Sequence, residues 1–305
     1  MLHHTLSIRA GDVCLDILLV RISRAQHKEV EYLRMSVMPQ DSDAPLLEST
    51  GNSVRWITLN RPAQRNPLSL RMLTDLDQAL LRASDDKAVR VIVIDAKGPV
   101  FSAGHDLGEM SKRPGEDADT QHARMQEILE RCSTMMLRIV HSPTAVIACV
   151  QGTATAAGCQ LVSACDLAVA ADTARFCTPG VNMGGFCTTP LVGIGRNIHR
   201  KHAMAMALTG ETITAEEAVR FGLINEAVPA DTLEQRTQEL AAVIASKSAQ
   251  GIRHGKADFY RQIDMPIEEA FAYANKAMVR AMTSPDAEEG KTAFFDKRAP
   301  QWGDA

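Results

Sequence analysis

Two short segments of this sequence place small residues at the start of a predicted helix. Residues 99–107 and 150–160 read Pro-Val-Phe-Ser-Ala-Gly-His-Asp-Leu and Val-Gln-Gly-Thr-Ala-Thr-Ala-Ala-Gly-Cys-Gln. Backbone N–H groups at a helix start have no partner within the helix, and the helix dipole favours negative charge there. Two such ends that converge could hold one oxyanion. The sequence therefore predicts a site that stabilises a developing negative charge.

The elements that must position these segments follow from the hydrophobic pattern. Short runs rich in β-branched or small apolar residues predict buried strands at residues 54–59, 91–94, 145–150 and 167–171. Apolar side chains at helical spacing predict helices at residues 70–81 and 125–139, and small residues after a turn predict a short helix at residues 156–165. Strands that alternate with helices are typical of an α/β core. Each of the two segments follows one of the predicted strands.

The chain beyond Gly210 is predicted to be helical. Thr214 and Glu217 have the spacing of a capping box, and Gly222 stands where a helix C-cap belongs. Three more helical segments cover residues 232–246, 267–282 and 286–297, with separations near Gly251, Pro266 and Pro285. These segments form a helical tail.

Composition excludes several classes of protein. The 305 residues carry a net charge of -4 and only 4% aromatic residues, which argues against a basic, aromatic groove for nucleic acid. The apolar run from Val13 to Val20 contains Asp16 and is far shorter than the roughly 18 to 20 residues of a membrane span. Seven cysteines without CxxC spacing predict reduced thiols in a cytoplasmic protein. Residues 1–50 lack a sustained period and are predicted to be a weakly ordered extension.

Other catalytic and binding motifs are absent or incomplete. Residues 193–198 lack the third glycine of a dinucleotide-binding pattern, and Lys256 and Lys291 lack the upstream glycine of a phosphate-binding loop. HExxH and GxSxG do not occur. Ser84 and Lys87 have the spacing of the catalytic SxxK pattern, but they are interpreted as part of a charged surface turn. The nine histidines show no metal-ligand spacing, so we expect no metal. A serine-type or phosphate-loop enzyme is therefore set aside.

The two segments, with Asn60-Arg61-Pro62 before them and Thr178-Pro179-Gly180 after them, closely resemble the crotonase (enoyl-CoA hydratase/isomerase) superfamily. The resemblance runs from about Val54 to Trp302. It implies an α/β spiral of repeated β-β-α turns over residues 51–248 and an α-helical trimerisation region over residues 249–305. It also implies homotrimers that often pair into hexamers, and an acyl-CoA thioester substrate, so that coenzyme A enters with the substrate and no separate cofactor is needed. The mitochondrial matrix is the alternative compartment for a eukaryotic protein.

The resemblance assigns roles to residues by motif. The N–H groups of His105 and Ala157 would form the hole for the thioester oxygen as it becomes an enolate. Such a donor is typically worth about 2.7 to 4 kcal/mol. The coenzyme A side of the site would include Ala63, Gln64, Arg65, Ala103, His105, Asp106, Leu107 and, through the tail, Lys297.

Two positions depart from the usual hydratase pattern. A typical member has two glutamates that position and activate water, and here those positions hold Gln160 and Gly180. Glutamine can hold a water molecule but cannot accept its proton, and glycine has no side chain. Because positioned acid-base groups are typically worth about 10²- to 10⁴-fold each, the two-glutamate route should be severely impaired. Two hypotheses remain open: an enoyl-CoA hydratase-like lyase or isomerase of acyl-CoA metabolism in which Gln160 orients water or substrate, and an acyl-CoA-binding pseudoenzyme.

Three other side chains near these motifs are candidates for acid-base chemistry. The His105 ring could titrate near neutral pH, but we expect it to face solvent or pair with Asp106. Asp106 is interpreted as a helix-start cap. Cys187 is interpreted as a buried, inert thiol, because the sequence shows no base beside it.

Overall fold

The computed structural model describes residues 44–303, which contain ten strands and eleven helices. The strands are β1 (Leu46–Gly51), β2 (Val54–Leu59), β3 (Val91–Ala96), β4 (Val100–Ser102), β5 (Ala145–Val150), β6 (Thr153–Thr155), β7 (Leu167–Ala171), β8 (Arg175–Cys177), β9 (Thr212–Thr214) and β10 (Glu226–Val228). The helices are α1 (Leu70–Asp85), α2 (Leu107–Met110), α3 (Ala118–His141), α4 (Ala157–Ala164), α5 (Pro190–Asn197), α6 (Arg200–Thr209), α7 (Ala215–Phe221), α8 (Leu233–Ala245), α9 (Ala249–Gln262), α10 (Ile267–Met282) and α11 (Pro285–Asp296).

The strands form two sheets that the chain visits in turn. One sheet has the order β1-β2-β3-β5-β7-β10, and the other has the order β4-β6-β8-β9. The steps from β3 to β4, β5 to β6 and β7 to β8 each cross from the first sheet to the second. Helices return the chain to the first sheet after β4 and β6, whereas β8 is followed by α5, α6 and β9 of the second sheet before α7 leads to β10. This repeat is the predicted β-β-α spiral, so the predicted α/β fold class is confirmed.

The central strands of the larger sheet are buried on both faces, as their sequence predicts. Val91 and Val93 of β3 pack in one apolar cluster with Leu233 of α8, while Ile92 and Ile94 pack in the main core. Alternate side chains of a strand point to opposite faces, so a strand covered on both sides must be apolar at every position. The continuous apolar runs at β3 and β5 follow from this double burial.

Strand β1 is a difference from the sequence-based prediction, which placed residues 46–50 in the weakly ordered extension. It pairs with β2 in antiparallel register from Leu46 opposite Leu59 to Gly51 opposite Val54. Asn52 and Ser53 join the two strands, both with positive φ (51° and 62°), the backbone form that two-residue hairpin turns favour. The asparagine at this turn was the feature of the sequence that could have indicated the hairpin. Residues 1–43 of the predicted extension lie outside the described residues.

The helical character of the predicted tail is confirmed, but the predicted segments did not include α9 (Ala249–Gln262). Gly251 was expected to separate two helices, whereas the separation lies at residues 246–248 and the glycine is inside α9. Ser248 caps the helix instead, and its hydroxyl accepts a hydrogen bond from the N–H of Gly251 at 2.9 Å. The capping box of Thr214 and Glu217 is present as predicted.

Helix α9 is attached to the spiral core by a buried ion pair. The Lys256 ammonium lies 2.7 Å from a carboxylate oxygen of Asp166 and also donates to the carbonyl oxygens of Ile139 and Thr144, at 3.0 and 3.2 Å. The Tyr260 hydroxyl donates to the other Asp166 oxygen at 3.0 Å. Three acceptors satisfy the buried ammonium, so this cluster joins the tail to the core through specific polar contacts.

Candidate active site

The first donor segment is a loop between β4 and α2. Gly104 has a φ of +85°, which turns the chain sharply after β4 and directs it into the short helix. Asp106 is the N-cap of α2, and its carboxylate accepts a hydrogen bond from the N–H of Gly108 at 2.9 Å. The interpretation of Asp106 as a helix cap is therefore confirmed. Leu107 begins α2 and is exposed.

The second donor segment is the junction of β6 and α4. Ala156 has φ 51° and ψ -117°, a conformation that alanine rarely adopts. Its N–H donates to the carbonyl oxygen of Cys177 at 3.0 Å, which fixes the turn. Ala157 then begins α4 at the point where the helix has a free N–H. Backbone strain held by surrounding structure is a feature that functional sites often show.

The two segments converge. Strands β4 and β6 are parallel neighbours, so the loops that follow them lie at the same edge of their sheet. A Cβ atom at Gly104 would stand 2.9 Å from the carbonyl oxygen of Thr155 and 3.2 Å from the nitrogen of Ala157. Neither the N–H of His105 nor that of Ala157 donates a hydrogen bond to another residue in the described part of the chain. The geometry thus places two unpaired backbone donors at one location.

A third loop, from Arg61 to Leu68, packs against the first donor segment. The N–H of Ala103 donates to the carbonyl of Arg65 at 3.0 Å, and the N–H of Leu68 donates to that of Gly104 at 2.7 Å. These bonds bring Arg65 beside the donor loop, as the motif order suggests. Ala63 and Gln64 lie in a short exposed turn just before it.

Asn66 holds this third loop in place, and the sequence reasoning missed it. The residue is fully buried, and its side-chain oxygen accepts from the N–H of Arg61 at 2.8 Å. Its side-chain nitrogen donates to the carbonyls of Lys97 and Val100, at 2.9 and 2.8 Å. One feature of the sequence could have indicated its role. An asparagine stands between the turn residues and Pro67, and asparagine tolerates the left-handed φ that such turns require. Asn66 has a φ of 50°.

Replacing Asn66 by alanine is expected to lower the free energy of unfolding by about 2–4 kcal/mol, because three buried hydrogen bonds of about 0.5–1.5 kcal/mol each are lost. Asn66→Asp should cost a similar amount, since a carboxylate cannot donate to the carbonyls of Lys97 and Val100. Urea unfolding of both variants tests this. Asn52→Ala is the control, because Asn52 also has a positive φ (51°) but is exposed. If Asn52→Ala and Asn66→Ala lowered the free energy of unfolding equally, the buried hydrogen bonds of Asn66 would not be the cause of its effect.

The His105 ring differs from its predicted placement. It neither faces solvent nor pairs with Asp106: Nδ1 lies 3.4 Å from the carbonyl oxygen of Leu68, and Nε2 is buried without a hydrogen-bond partner among residues 44–303. Burial lowers the pKa of His105, and this effect exceeds the opposing effects of the Leu68 carbonyl and the Glu109 carboxylate. The ring is therefore neutral at pH 7.

Gln160 lies one turn of α4 beyond Ala157 and is buried. Its side-chain amide makes no hydrogen bond with another described residue, and the oxygen of that amide is shielded from solvent. The side chain borders a cavity of about 900 Å³ whose other walls include Val140 of α3, Val192 of α5 and Phe259 of α9. A buried amide without a protein partner next to a cavity is suited to hold a water molecule or a polar group of a ligand.

The backbone around Gly180 leaves no room for a side chain. A Cβ atom there would stand 2.9 Å from the nitrogen of Cys187 and 3.1 Å from its sulfur. The Cys187 sulfur instead accepts a hydrogen bond from the N–H of Gly180 at 3.3 Å. Burial raises the pKa of the Cys187 thiol, so the interpretation of an inert thiol is supported.

Lys297 is not joined to the other candidate residues. It follows α11 with a φ of 54° and is exposed. Within residues 44–303 no hydrogen bond or ion pair links it to residues 63–65. The described residues also contain no group of three or more His, Cys, Asp or Glu side chains able to hold a metal, and none of their helices is long and apolar enough to cross a membrane.

Comparison with known proteins gives consistent results. The enoyl-CoA hydratase/isomerase family model matches residues 49–305. Mitochondrial enoyl-CoA hydratase domain-containing protein 3 of Rattus norvegicus is 45% identical over 260 residues, which cover 85% of both chains. A probable enoyl-CoA hydratase of Mycobacterium bovis is 34% identical, over 84% of this chain and 97% of its own.

Solved structures agree with this comparison. The crystal structure of human enoyl-CoA hydratase domain-containing protein 3 has a TM-score of 0.81 and 42% identity, and covers 85% of this chain and 100% of its own. An enoyl-CoA hydratase of Mycobacterium smegmatis has a TM-score of 0.80 and 42% identity, over 85% and 99% of the two chains. The Gly-His-Asp-Leu and Ala-Ala-Gly-Cys-Gln strings indicate this domain-containing protein 3 subgroup, and the comparisons confirm that resemblance. The chain belongs to the enoyl-CoA hydratase/isomerase family, the crotonase superfamily that its motifs resemble.

Proposed function

We propose that this protein binds acyl-CoA thioesters and stabilises the thioester enolate through the N–H groups of His105 and Ala157. The observation that carries the proposal is the convergence of these two unpaired donors at one sheet edge. Fixed donors aimed at a developing oxyanion typically contribute about 2.7 to 4 kcal/mol each to the transition state. Enolate formation next to a thioester carbonyl develops such a charge, so this chemistry fits the donor pair. The protein would then act in fatty acid or other acyl-CoA metabolism.

The coenzyme A portion of the substrate is assigned to the surface beside the donor loop. Arg65 adjoins this loop through Ala103, and Ala63, Gln64 and Leu107 are exposed around it. A polyanionic ligand needs only local basic side chains and free backbone donors, so the net charge of -4 does not oppose its binding. Lys297, exposed at the end of α11, is the basic residue of the tail that the resemblance assigns to the phosphates. Coenzyme A arrives with the substrate, and no separate cofactor is proposed.

A second candidate function is that of an acyl-CoA-binding pseudoenzyme. It is favoured by the local structure at Gly180, where Cys187 occupies the space that a catalytic side chain would need. Gln160 can orient water but cannot accept its proton. The binding surface could therefore remain while hydration is lost.

The test compares binding with turnover. We expect calorimetry to detect butyryl-CoA binding, and we expect crotonyl-CoA hydration to be about 10²-fold or more slower than that of a two-glutamate family member assayed beside it. Gln160→Glu should raise the hydration rate, because it restores one proton acceptor on α4, one turn after Ala157. Rapid hydration by the natural protein would refute the loss of the two-glutamate route. No binding of butyryl-CoA would refute both candidate functions.

The tail is proposed to assemble the protein as a homotrimer or a pair of trimers. Several large apolar side chains of α10 and α11 are exposed, among them Phe271, Phe294 and Phe295 at 64%, 77% and 79%. Exposed apolar surface of this kind marks association sites. The compartment remains a prediction: the cytoplasm is not confirmed, and the word mitochondrial in the names of the vertebrate relatives favours the matrix for a eukaryotic source.

A further inference from the structure

The imidazole of His105 is a buried titratable group that the proposed oxyanion hole does not use. Its Nδ1 atom lies 3.4 Å from the carbonyl oxygen of Leu68. A carbonyl oxygen can only accept a hydrogen bond, so in the neutral ring the proton is on Nδ1. The lone pair on Nε2 is then free to accept a proton. This atom is buried and has no hydrogen-bond partner among the described residues.

The two carboxylates at the start of α2 accept hydrogen bonds from backbone N–H groups. The Asp106 carboxylate accepts from the N–H of Gly108, and the Glu109 carboxylate accepts from the N–H of Leu70 at 2.6 Å. Among residues 44–303, Glu109 is the charged group that raises the pKa of His105, and burial outweighs its effect. The ring is therefore held as a neutral acceptor at neutral pH, with its tautomer set by Leu68. Fixing one ring nitrogen so that the other can take a proton is how histidine bases are commonly positioned.

The position of the ring is tied to the donor pair by the covalent chain. The backbone N–H of the same residue is one of the two donors, so Nε2 lies within one side-chain length of that donor. The usual proton acceptors are missing, because Gln160 cannot take a proton and Gly180 has no side chain. Cys187 is buried, and its thiol pKa is raised. Among these candidate groups, His105 alone combines an available lone pair with the neutral form.

We propose that Nε2 of His105 is the base that removes the α-proton of a bound acyl-CoA thioester; this inference rests on the proposed function. The Cα–H electron pair moves into a bond between Cα and the carbonyl carbon, and the carbonyl π electrons move to the thioester oxygen. That oxygen is held by the N–H groups of His105 and Ala157. The Nε2 proton of the imidazolium exchanges with solvent water, and the ring then gives a solvent-derived proton back to Cα. The cycle thus exchanges the α-hydrogen with solvent, and water is its one other reactant.

The test is the exchange of α-hydrogen for deuterium in butyryl-CoA, followed by mass spectrometry in D₂O. His105→Asn keeps the backbone N–H and a short side-chain donor toward Leu68, but has no group in place of Nε2. We expect this variant to lose about 10²- to 10⁴-fold in exchange rate, while its dissociation constant for butyryl-CoA changes less than about threefold. His122→Gln, on the exposed face of α3, is the matched control and should exchange like the natural protein.

The pH profile separates a base from a purely structural side chain. The natural protein should exchange faster as pH rises through the acidic range and reach a plateau by neutral pH, because the pKa of His105 is lowered. His105→Asn should show no such rise. If the protein binds butyryl-CoA and His105→Asn exchanges as fast as the natural protein, or if neither exchanges, the base assignment is wrong. If the natural protein does not bind butyryl-CoA, the proposed function itself fails.

Discussion

Gly104→Ala is expected to abolish enolate stabilisation while leaving most of the fold intact. The new Cβ would stand 2.9 Å from the carbonyl oxygen of Thr155 and 3.2 Å from the nitrogen of Ala157, so the two donor segments must move apart. Loss of one oxyanion donor typically lowers a rate by about 10²- to 10³-fold. We therefore expect α-hydrogen exchange in butyryl-CoA to fall by at least about 10²-fold. The free energy of unfolding should also fall, because alanine is strained at a φ of +85°.

Gly115→Ala is the matched control for this substitution. Gly115 has a φ of +77°, and no atom lies within 4 Å of the position its Cβ would take. Gly115→Ala should lower the free energy of unfolding by roughly 1–2 kcal/mol, because alanine is strained at a positive φ. Its rate of α-hydrogen exchange should not change. If the two variants were equal in exchange rate and in melting temperature, the close approach of Gly104 and Ala157 would have no functional importance.

Lys256→Ala is expected to give the largest loss of stability among the predictions for the tail. Its side chain is 8% exposed, and its ammonium is bound by Asp166, Ile139 and Thr144. Removing one partner of a buried ion pair typically costs about 3–5 kcal/mol, because the remaining charge stays buried without its counter-ion. The carbonyl oxygens of Ile139 and Thr144 also lose the ammonium as a donor. Chemical unfolding, with hydrogen exchange of α9 amides, measures the loss and shows whether α9 leaves the core.

Two comparisons make the prediction for Lys256 sharp. Lys291→Ala removes an exposed lysine that pairs with Glu288 in the same tail, and it should change stability by less than about 1 kcal/mol. Lys256→Met combined with Asp166→Asn removes both charges, so it should be less destabilised than Lys256→Ala. If Lys256→Ala lowered the free energy of unfolding no more than Lys291→Ala does, the pair of Lys256 and Asp166 would not be what attaches the tail.

Much of the fold could be predicted from the sequence. The continuous apolar runs at β3 and β5 predict buried strands, and the stripe in α3 predicts a helix, because both patterns arise from burial of a repeating set of side chains. Strand β1, the short strands β4, β6, β8, β9 and β10, and helices α5, α6 and α9 were not predicted. Two of the three strand residues in the outer half of β1 are polar, and all three are exposed. An edge strand with one solvated face has a weak periodic signal.

The candidate site was predictable only in part. The motif order indicates that His105 and Ala157 act together, and the absence of glutamates at residues 160 and 180 is visible in the sequence itself. The importance of Asn66 was not visible, because its three side-chain bonds reach residues up to 34 positions away. The environment of the His105 ring was predicted wrongly for the same reason, since its partner Leu68 lies 37 positions earlier.

The sequence by itself determined the residue types available for chemistry: two helix starts rich in small residues, a histidine at one of them, and no carboxylate at the usual hydratase positions. Only the tertiary structure decided which donors stay free, which nitrogen of His105 keeps its lone pair, and that Gly180 has no space for a side chain. These properties depend on distances and burial set by loops that are remote in sequence. Periodicity records which face of an element is buried, but it does not record which atoms meet there.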